Sequence, residues 1–157
     1  MTSSRRFVRI KVLNVLYAYE IAKDPITKVK KDLLTEIDDR EKLNFANNLI
    51  DYVVTNEKEL DSYIIAKLEN WEFERVALID KLIIRMATAE IMFFPEIPPK
   101  VSINEAIEIA KIYSLKNSGS FVNGILDSIL NELKNNNKLS KTGRGLLDLK
   151  KKPDEQK

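Results

Sequence analysis

The sequence predicts an all-α fold, and three observations carry that prediction. Apolar residues recur at the three- and four-residue spacing of an amphipathic helix along most of the 157-residue chain. No segment sustains the apolar–polar alternation of a β-strand, and prolines separate several of the helical patterns. A chain of this length forms one domain, or two small helical subdomains that share a core.

The first half of the chain is predicted to hold four helices. The first begins near Ser3 or Ser4 and stops at Asp24, because the residue before Pro25 is pushed out of the helical region. Three further apolar stripes at helical spacing follow it. The four predicted helices span residues 3–24, 26–37, 43–54 and about 60–68.

Three more helices are predicted in the second half. The fifth, at about 74–93, is apolar around more than half of its circumference, so it is expected to be the central, most buried helix. Prolines between residues 95 and 99 then force an extended connection. Ser102 and Glu105 predict a capping box that starts the sixth helix. A polar turn at 116–120 ends that helix, and the seventh runs over about 120–133.

The features that the sequence lacks exclude several classes of function. The chain has no histidine and no cysteine, which removes Ser/His and Cys/His nucleophilic sites and the usual zinc ligands. Its four glycines do not form a phosphate-binding motif. We therefore expect a protein that is not an enzyme and uses no metal or cofactor. No apolar run is long enough for a membrane span or a secretory signal, so a cytoplasmic location is expected.

Charge is distributed unevenly along the chain. Residues 1–11 carry a net charge of +4, residues 134–157 carry +5, and the segment between them carries −7. Such asymmetry favours an anionic partner at the ends and a cationic partner on the acidic body. Solvated surface charge is the alternative explanation of the same pattern.

The sharpest cluster of basic residues lies at the N-terminus and contains Arg5, Arg6, Arg9 and Lys11. On a helix, Arg5 and Arg9 share a face and Arg6 lies about 100° around from Arg5, which gives a broad cationic rim. Cations are unfavourable at the positive end of a helix dipole, and an anionic ligand such as phosphate would relieve that cost. A solvated, frayed helix end is the competing interpretation, and both stay open at this point.

A second candidate element opens the seventh predicted helix with the residues Phe121, Val122, Asn123 and Gly124. The aromatic ring of Phe121 either belongs to the core or stacks on an unpaired base. After this helix, residues 134–157 contain too little apolar material to bury and are predicted to form a mostly disordered basic tail. Leu146, Leu147 and Leu149 are the tail residues that could dock on the body.

Four separate motifs, in this order and spacing, resemble the NusB family of bacterial transcription antitermination factors. The resemblance extends from about Arg5 to Leu133. The motifs are Arg5-Arg6-x-x-Arg9 leading into Val15-Leu16-Tyr17-Ala18-Tyr19-Glu20, then Ile84-Arg85-Met86-Ala87-x-x-Glu90, then residues 99–111 with the sequence PKVSINEAIEIAK, and residues 121–127 with the sequence FVNGILD.

The resemblance implies a seven-helix fold of two three-helix bundles packed together. It implies a helical RNA-binding domain over 1–133, with subdomains of about 1–70 and 71–133, followed by the basic tail 134–157. It further implies binding of single-stranded boxA RNA in ribosomal RNA leaders together with NusE, a small-subunit ribosomal protein. The complex would join other Nus factors on RNA polymerase and suppress termination.

Site residues follow from the matched motifs. Arg5, Arg6 and Arg9 match the family's arginine-rich RNA contacts, and Phe121 matches an aromatic near the RNA path. Tyr17 and Asp80 fall where the family meets NusE or the RNA close to it. The predicted RNA-binding set is completed by Lys11 and Asn123. The turn at 117–120 departs from the family pattern, which often has charged residues there.

Two alternatives remain at this stage. A self-associating helical adaptor would hide the RNA surface in a homodimer. A NusB-like module of an rRNA-modifying enzyme would need a cofactor-binding α/β domain and a catalytic cysteine, and this sequence contains neither.

Overall fold

A computed structural model describes residues 4–69, 72–147 and 149 of the chain. Within these residues there are seven α-helices and no β-strand, which confirms the all-α prediction. The helices are α1 (Arg5–Ala22), α2 (Ile26–Leu33), α3 (Arg40–Thr55), α4 (Glu57–Ala66), α5 (Leu78–Phe93), α6 (Pro99–Tyr113) and α7 (Ser118–Asn135). Short 3₁₀ turns occupy Phe73–Arg75 and Gly143–Leu146.

The helix α5 lies at the centre of the fold, as predicted from the apolar residues that cover more than half of its circumference. Every residue from Leu82 to Ile91 is buried. The helix packs against α1, α3, α4, α6 and α7. One continuous hydrophobic core therefore surrounds α5 and includes residues from all seven helices.

Two groups of helices meet at this core, in agreement with the predicted pair of packed bundles. In one group α5, α6 and α7 pack against one another, and in the other α1 packs against α2 and α3. The helix α4 contacts α3, α5 and α7 and so joins the two groups. The expected boundary between subdomains, at Asn70 and Trp71, lies outside the described residues, and the division into 1–70 and 71–133 stays a prediction.

The predicted capping box at the start of α6 is wrong. The helix begins four residues earlier, at Pro99, and Pro98 in place of Ser102 occupies the N-cap position, without a side-chain cap. Proline suits this first position because its missing N–H would have had no partner within the helix. Ser102 is consequently inside the helix, and its hydroxyl donates to Glu90 at 2.9 Å instead of capping.

Other boundaries differ by a few residues. The helix α2 ends at Leu33 because Leu34 already leaves the helical conformation, although Leu34 and Ile37 remain buried in the following turn. The helix α5 begins at Leu78 because Val76 and Ala77 are extended after the 3₁₀ turn.

Part of the segment predicted as a disordered tail is folded. The helix α7 continues to Asn135, and residues 138–147, which we call the C-terminal strap, run back over the end of α5. Of the leucines expected to dock, Leu146 is half-buried and Leu147 is exposed. Residue 148 and residues 150–157 lie outside the described residues.

In the part of the chain that the structure describes, no helix combines the length and the apolar character that crossing a bilayer requires.

Candidate nucleic-acid interface

The helix α1 starts with a side-chain cap that fixes the position of its basic residues. Ser4 is the N-cap, and its hydroxyl accepts a hydrogen bond of 3.0 Å from the backbone N–H of Phe7. No acidic residue is present in the first turn to balance the arginines. Acidic side chains from other helices approach this turn instead.

Arg6 is exposed and bonds to the carboxylate of Glu105 on α6. Its Nε donates to Oε1 and its Nη2 donates to Oε2, each at 2.9 Å, in the bidentate geometry that guanidinium also uses for phosphate. The hydrogen bonds and charge of Glu105 raise the pKa of Arg6, and the Arg6 hydrogen bonds lower the pKa of Glu105. Arg6 therefore presents a charged guanidinium at the surface, already oriented for an oxyanion.

Arg9 is buried, which corrects the expectation of an exposed rim that includes it. Its Nε and Nη2 donate to the two carboxylate oxygens of Glu90 on α5, each at 2.8 Å. Ser102 donates to the same carboxylate. Burial lowers the pKa of Arg9, but the bonds and charge of Glu90 outweigh that effect and leave the pKa raised. Contact of Arg9 with RNA stays a prediction, and this geometry gives Arg9 a structural task.

Arg5 and Lys11 complete the basic end of α1. The guanidinium of Arg5 lies 4.2 Å from the centre of the Phe45 ring, and its Nη2 is 3.4 Å from Glu41. Lys11 donates to Glu36 at 2.6 Å. Each basic residue of the predicted cluster thus has a carboxylate partner, although the partners of Arg5 and Lys11 are well exposed. Surface pairs of this kind are weak and can be exchanged for another anion.

A groove of about 810 Å³ runs beside these arginines. Its walls are the first turn of α1, the α5–α6 connection from Glu96 to Pro98, one side of α6, and the C-terminal strap. Its charged lining residues are Arg5, Arg6, Arg9, Arg144, Glu96 and Glu105, of which Arg9 is buried. The dimensions and the guanidinium groups suit a phosphate-bearing chain.

Phe121 and Asn123 do not line this groove. Phe121 is half-buried against the core and borders a separate cleft of about 470 Å³, which also contains Asp80 and Leu115. Asn123 is exposed in a depression of about 300 Å³ that shares Leu147 with the arginine groove. The core interpretation and the RNA interpretation of Phe121 are therefore both compatible with its place at the rim of a cleft.

Asp80 and Tyr17, the predicted partner contacts, lie in different environments. Asp80 is buried and accepts hydrogen bonds from Ser114 at 2.6 Å and from Ser118 at 3.0 Å. These bonds tie α5 to the turn between α6 and α7, so Asp80 shapes the cleft from within. Tyr17 is 42% exposed on α1 and is directly available to a partner.

Sequence reasoning missed the acidic partners and Arg144. Glu105 was expected in a capping box, and Glu90 was part of a motif without an assigned role. A signal for the burial of Arg9 was present, because Arg9 falls within the stripe of Val8, Val12 and Leu16 that faces the core. Residues 4–69, 72–147 and 149 contain no cluster of carboxylates suited to a metal ion.

Comparisons with known proteins agree with one another. The model of the NusB family matches residues 6–131. A transcription antitermination protein NusB from Chloroherpeton thalassium is 46% identical over 151 residues, which are 95% of this chain and 72% of the relative. The structure of T. maritima NusB matches with a TM-score of 0.79 and 37% identity over 84% of this chain and 94% of that one. A structure of antitermination factors NusB and NusE in complex with dsRNA matches with a TM-score of 0.74 and 25% identity, over 82% and 96% of the two chains.

Proposed function

The chain belongs to the NusB family, and we propose on that basis that it binds boxA-type RNA of ribosomal RNA leaders together with NusE. The resulting complex joins other Nus factors on RNA polymerase and suppresses termination. In this proposal the protein is a cytoplasmic regulatory factor and not an enzyme, in line with relatives that are named transcription antitermination proteins.

The observation that carries the RNA-binding proposal is the exposed, bidentate guanidinium of Arg6 at the edge of the groove. A phosphate oxygen pair can take the place of the Glu105 carboxylate without any change in the direction of the donors. Arg5 lies on the same groove, and Lys11 follows on the same helix. The solved complex of NusB and NusE with dsRNA supports RNA as the ligand class.

Partner binding is supported by an apolar surface at the end of α6. Ile112, Tyr113 and Leu115 are 58%, 46% and 74% exposed, and Leu115 borders the cleft that contains Phe121 and Asp80. Exposed apolar residues that lie close together are typical of protein interfaces. We assign this surface to NusE, with Tyr17 as a second contact and Asp80 as the residue that holds the cleft in shape. Homodimerisation through the same surface is the alternative state.

The RNA assignment is tested by titrating labelled boxA RNA, single-stranded and as a duplex of the same sequence, with the wild type and with the variant R5A/R6A. We expect the double variant to bind at least tenfold more weakly. The slope of log affinity against log salt for the single strand should become shallower by roughly 0.7 for each lost phosphate contact. The matched control is K28A, which removes an exposed, ion-paired lysine of α2. Equal binding by the wild type and R5A/R6A would refute the assignment.

The partner assignment is tested with L115E, which places a charge on the apolar surface. We expect L115E to lose the increase in RNA affinity that NusE provides, while its RNA affinity without NusE stays that of the wild type. I65E, at an exposed apolar position on α4, serves as the control for added charge. Light scattering of the wild type with and without NusE separates a heterodimer from a homodimer. If NusE raises the RNA affinity of L115E as much as that of the wild type, the assignment of this surface to NusE is wrong.

A further inference from the structure

The C-terminal strap, residues 138–147, lies beyond the matched family residues 6–131 and ends at the arginine groove. It leaves α7 through Asn137, which has a positive φ of 54°. Leu139 packs on the hydrophobic core. From there the strap crosses the end of α5 and forms one wall of the groove.

Lys141 anchors the strap to the C-terminus of α5. Its ammonium group donates to the backbone oxygens of Phe94 at 2.8 Å and Glu90 at 3.2 Å. Both oxygens also accept a backbone hydrogen bond, from Ile97 and Phe94 respectively, and a cation at this end of a helix complements the helix dipole. Burial lowers the pKa of Lys141 to about 8. The lysine thus fills a defined position and is not a solvated tail residue.

Gly145 provides a second anchor because the strap backbone touches the α5–α6 connection. The N–H of Thr142 donates to the backbone oxygen of Pro95 at 3.0 Å. A Cβ atom at position 145 would lie 1.9 Å from that same oxygen, so a side chain cannot be accommodated without moving the strap. The strap is therefore fitted against the body at two points, on either side of Arg144.

Arg144 stands between these anchors and lines the same groove as Arg5 and Arg6. Its side chain is exposed, and among residues 4–69, 72–147 and 149 no carboxylate forms an ion pair with it. Arg5 and Arg6, in contrast, are paired with Glu41 and Glu105. Arg144 therefore adds a further guanidinium to the groove, and none of the described carboxylates forms an ion pair with it.

We infer that the C-terminal strap is part of the RNA-binding surface, with Arg144 contacting an RNA phosphate in the groove that Arg5 and Arg6 also line. This inference rests on the proposed RNA-binding function and adds a contact outside residues 6–131, which the family model matches. Guanidinium groups from α1 and from the strap would together hold the RNA backbone along the groove.

The test compares RNA affinity and its salt dependence for the full chain, R144A, R144K and G145V, with R5A/R6A measured in parallel. We expect R144A to bind about three- to tenfold more weakly than the wild type, with a salt slope shallower by roughly 0.7. R144K should retain most of the affinity because it keeps the charge. G145V should lose as much as R144A because the valine displaces the strap. K28A, which removes an exposed lysine on α2, is the control.

The outcomes separate this inference from the proposed function. If R5A/R6A loses affinity but R144A binds like the wild type, the strap inference is wrong and the proposed function stands. If the wild type itself binds neither the single-stranded nor the duplex boxA RNA, the strap inference and the proposed function are both wrong. Circular dichroism of R144A, whose substitution lies at the surface, establishes that its loss of binding does not come from unfolding.

Discussion

Arg6 and Arg9 lie one turn apart on α1 and form ion pairs of nearly identical geometry, yet they have opposite surroundings. Both use Nε and Nη2 to bond two carboxylate oxygens, at 2.9 Å for Arg6 with Glu105 and 2.8 Å for Arg9 with Glu90. The side chain of Arg6 is 44% exposed and that of Arg9 is 5% exposed. Bond geometry alone therefore does not distinguish a ligand-binding arginine from a structural one.

The two pairs differ in whether water or another anion can reach the arginine and replace its carboxylate partner. Water or a ligand anion can replace Glu105 at Arg6, so this pair is readily exchanged. The pair of Arg9 and Glu90 is exchanged far less readily, because both side chains are buried and Ser102 already bonds to the Glu90 carboxylate, although Nη1 of Arg9 also lies 3.9 Å from Glu105 at the groove. Breaking that pair would leave a charge buried without compensation. The first pair is thus suited to binding, and the second to fixing the arrangement of three helices.

The buried pair gives the largest expected effect. E90Q keeps the shape of the side chain but leaves the Arg9 charge uncompensated, so we expect a loss of about 3–5 kcal/mol in the free energy of unfolding, measured by urea denaturation. The double variant R9M/E90M should recover most of that loss, because it removes both charges together. If E90Q lowers the free energy of unfolding by less than about 1 kcal/mol, the buried pair contributes no more to stability than an exposed pair, and the comparison is wrong.

Loss of the exposed pair should have a smaller effect, and the effect should be a gain in RNA affinity where loss of the buried pair lowers stability. E105Q removes the carboxylate that competes with phosphate for Arg6 and the negative charge beside it, so RNA affinity should rise about two- to fivefold at low salt. The free energy of unfolding should change little. E59Q, which removes an exposed carboxylate on α4, is the control for the loss of one negative charge. Weaker RNA binding by E105Q would mean that Glu105 orients Arg6 and does not compete for it.

The smallest effect is a pH dependence of the exposed pair. The Arg6 hydrogen bonds lower the pKa of Glu105 from its ordinary value of 4.5. A carboxylate with a lowered pKa contributes stability that is present above pH 4.5 and is lost as the pH falls through the folded-state pKa. The stability advantage of the wild type over E105Q should therefore be fully present above pH 4.5 and shrink as the pH falls below that value in urea denaturation. In an R6A background this shrinkage should be smaller.

The sequence was sufficient for the helices and insufficient for the contacts between them. Periodic apolar residues determine which segments become helices, and for that reason all seven α-helices were predicted. The start of α6 was missed because Ser102 fits a capping pattern, whereas the chain turns at Pro98 and Pro99 before it. Local pattern cannot show that a serine faces a buried carboxylate from another helix.

The pairing of Arg9 and the strap were beyond sequence reasoning for the same physical reason. Glu90 lies 81 residues from Arg9, and no periodicity within α1 indicates which carboxylate a buried arginine will find. The strap was assigned to a tail because it has few apolar residues, but Lys141 anchors it through backbone carbonyls and not through apolar burial. Both features depend on how the helices are positioned relative to one another in the folded protein, which local sequence patterns do not specify.

The bonds among Arg9, Glu90 and Ser102 also have a mechanical consequence. They join α1, α5 and α6 at one point, so sliding α1 by one turn, about 5.4 Å, would separate all three side chains at once. We therefore expect the arginines at the tip of α1 to keep their spacing from α6 when RNA binds. In the proposed function, surface side chains would change partners on binding while the backbone of α1 stays in place.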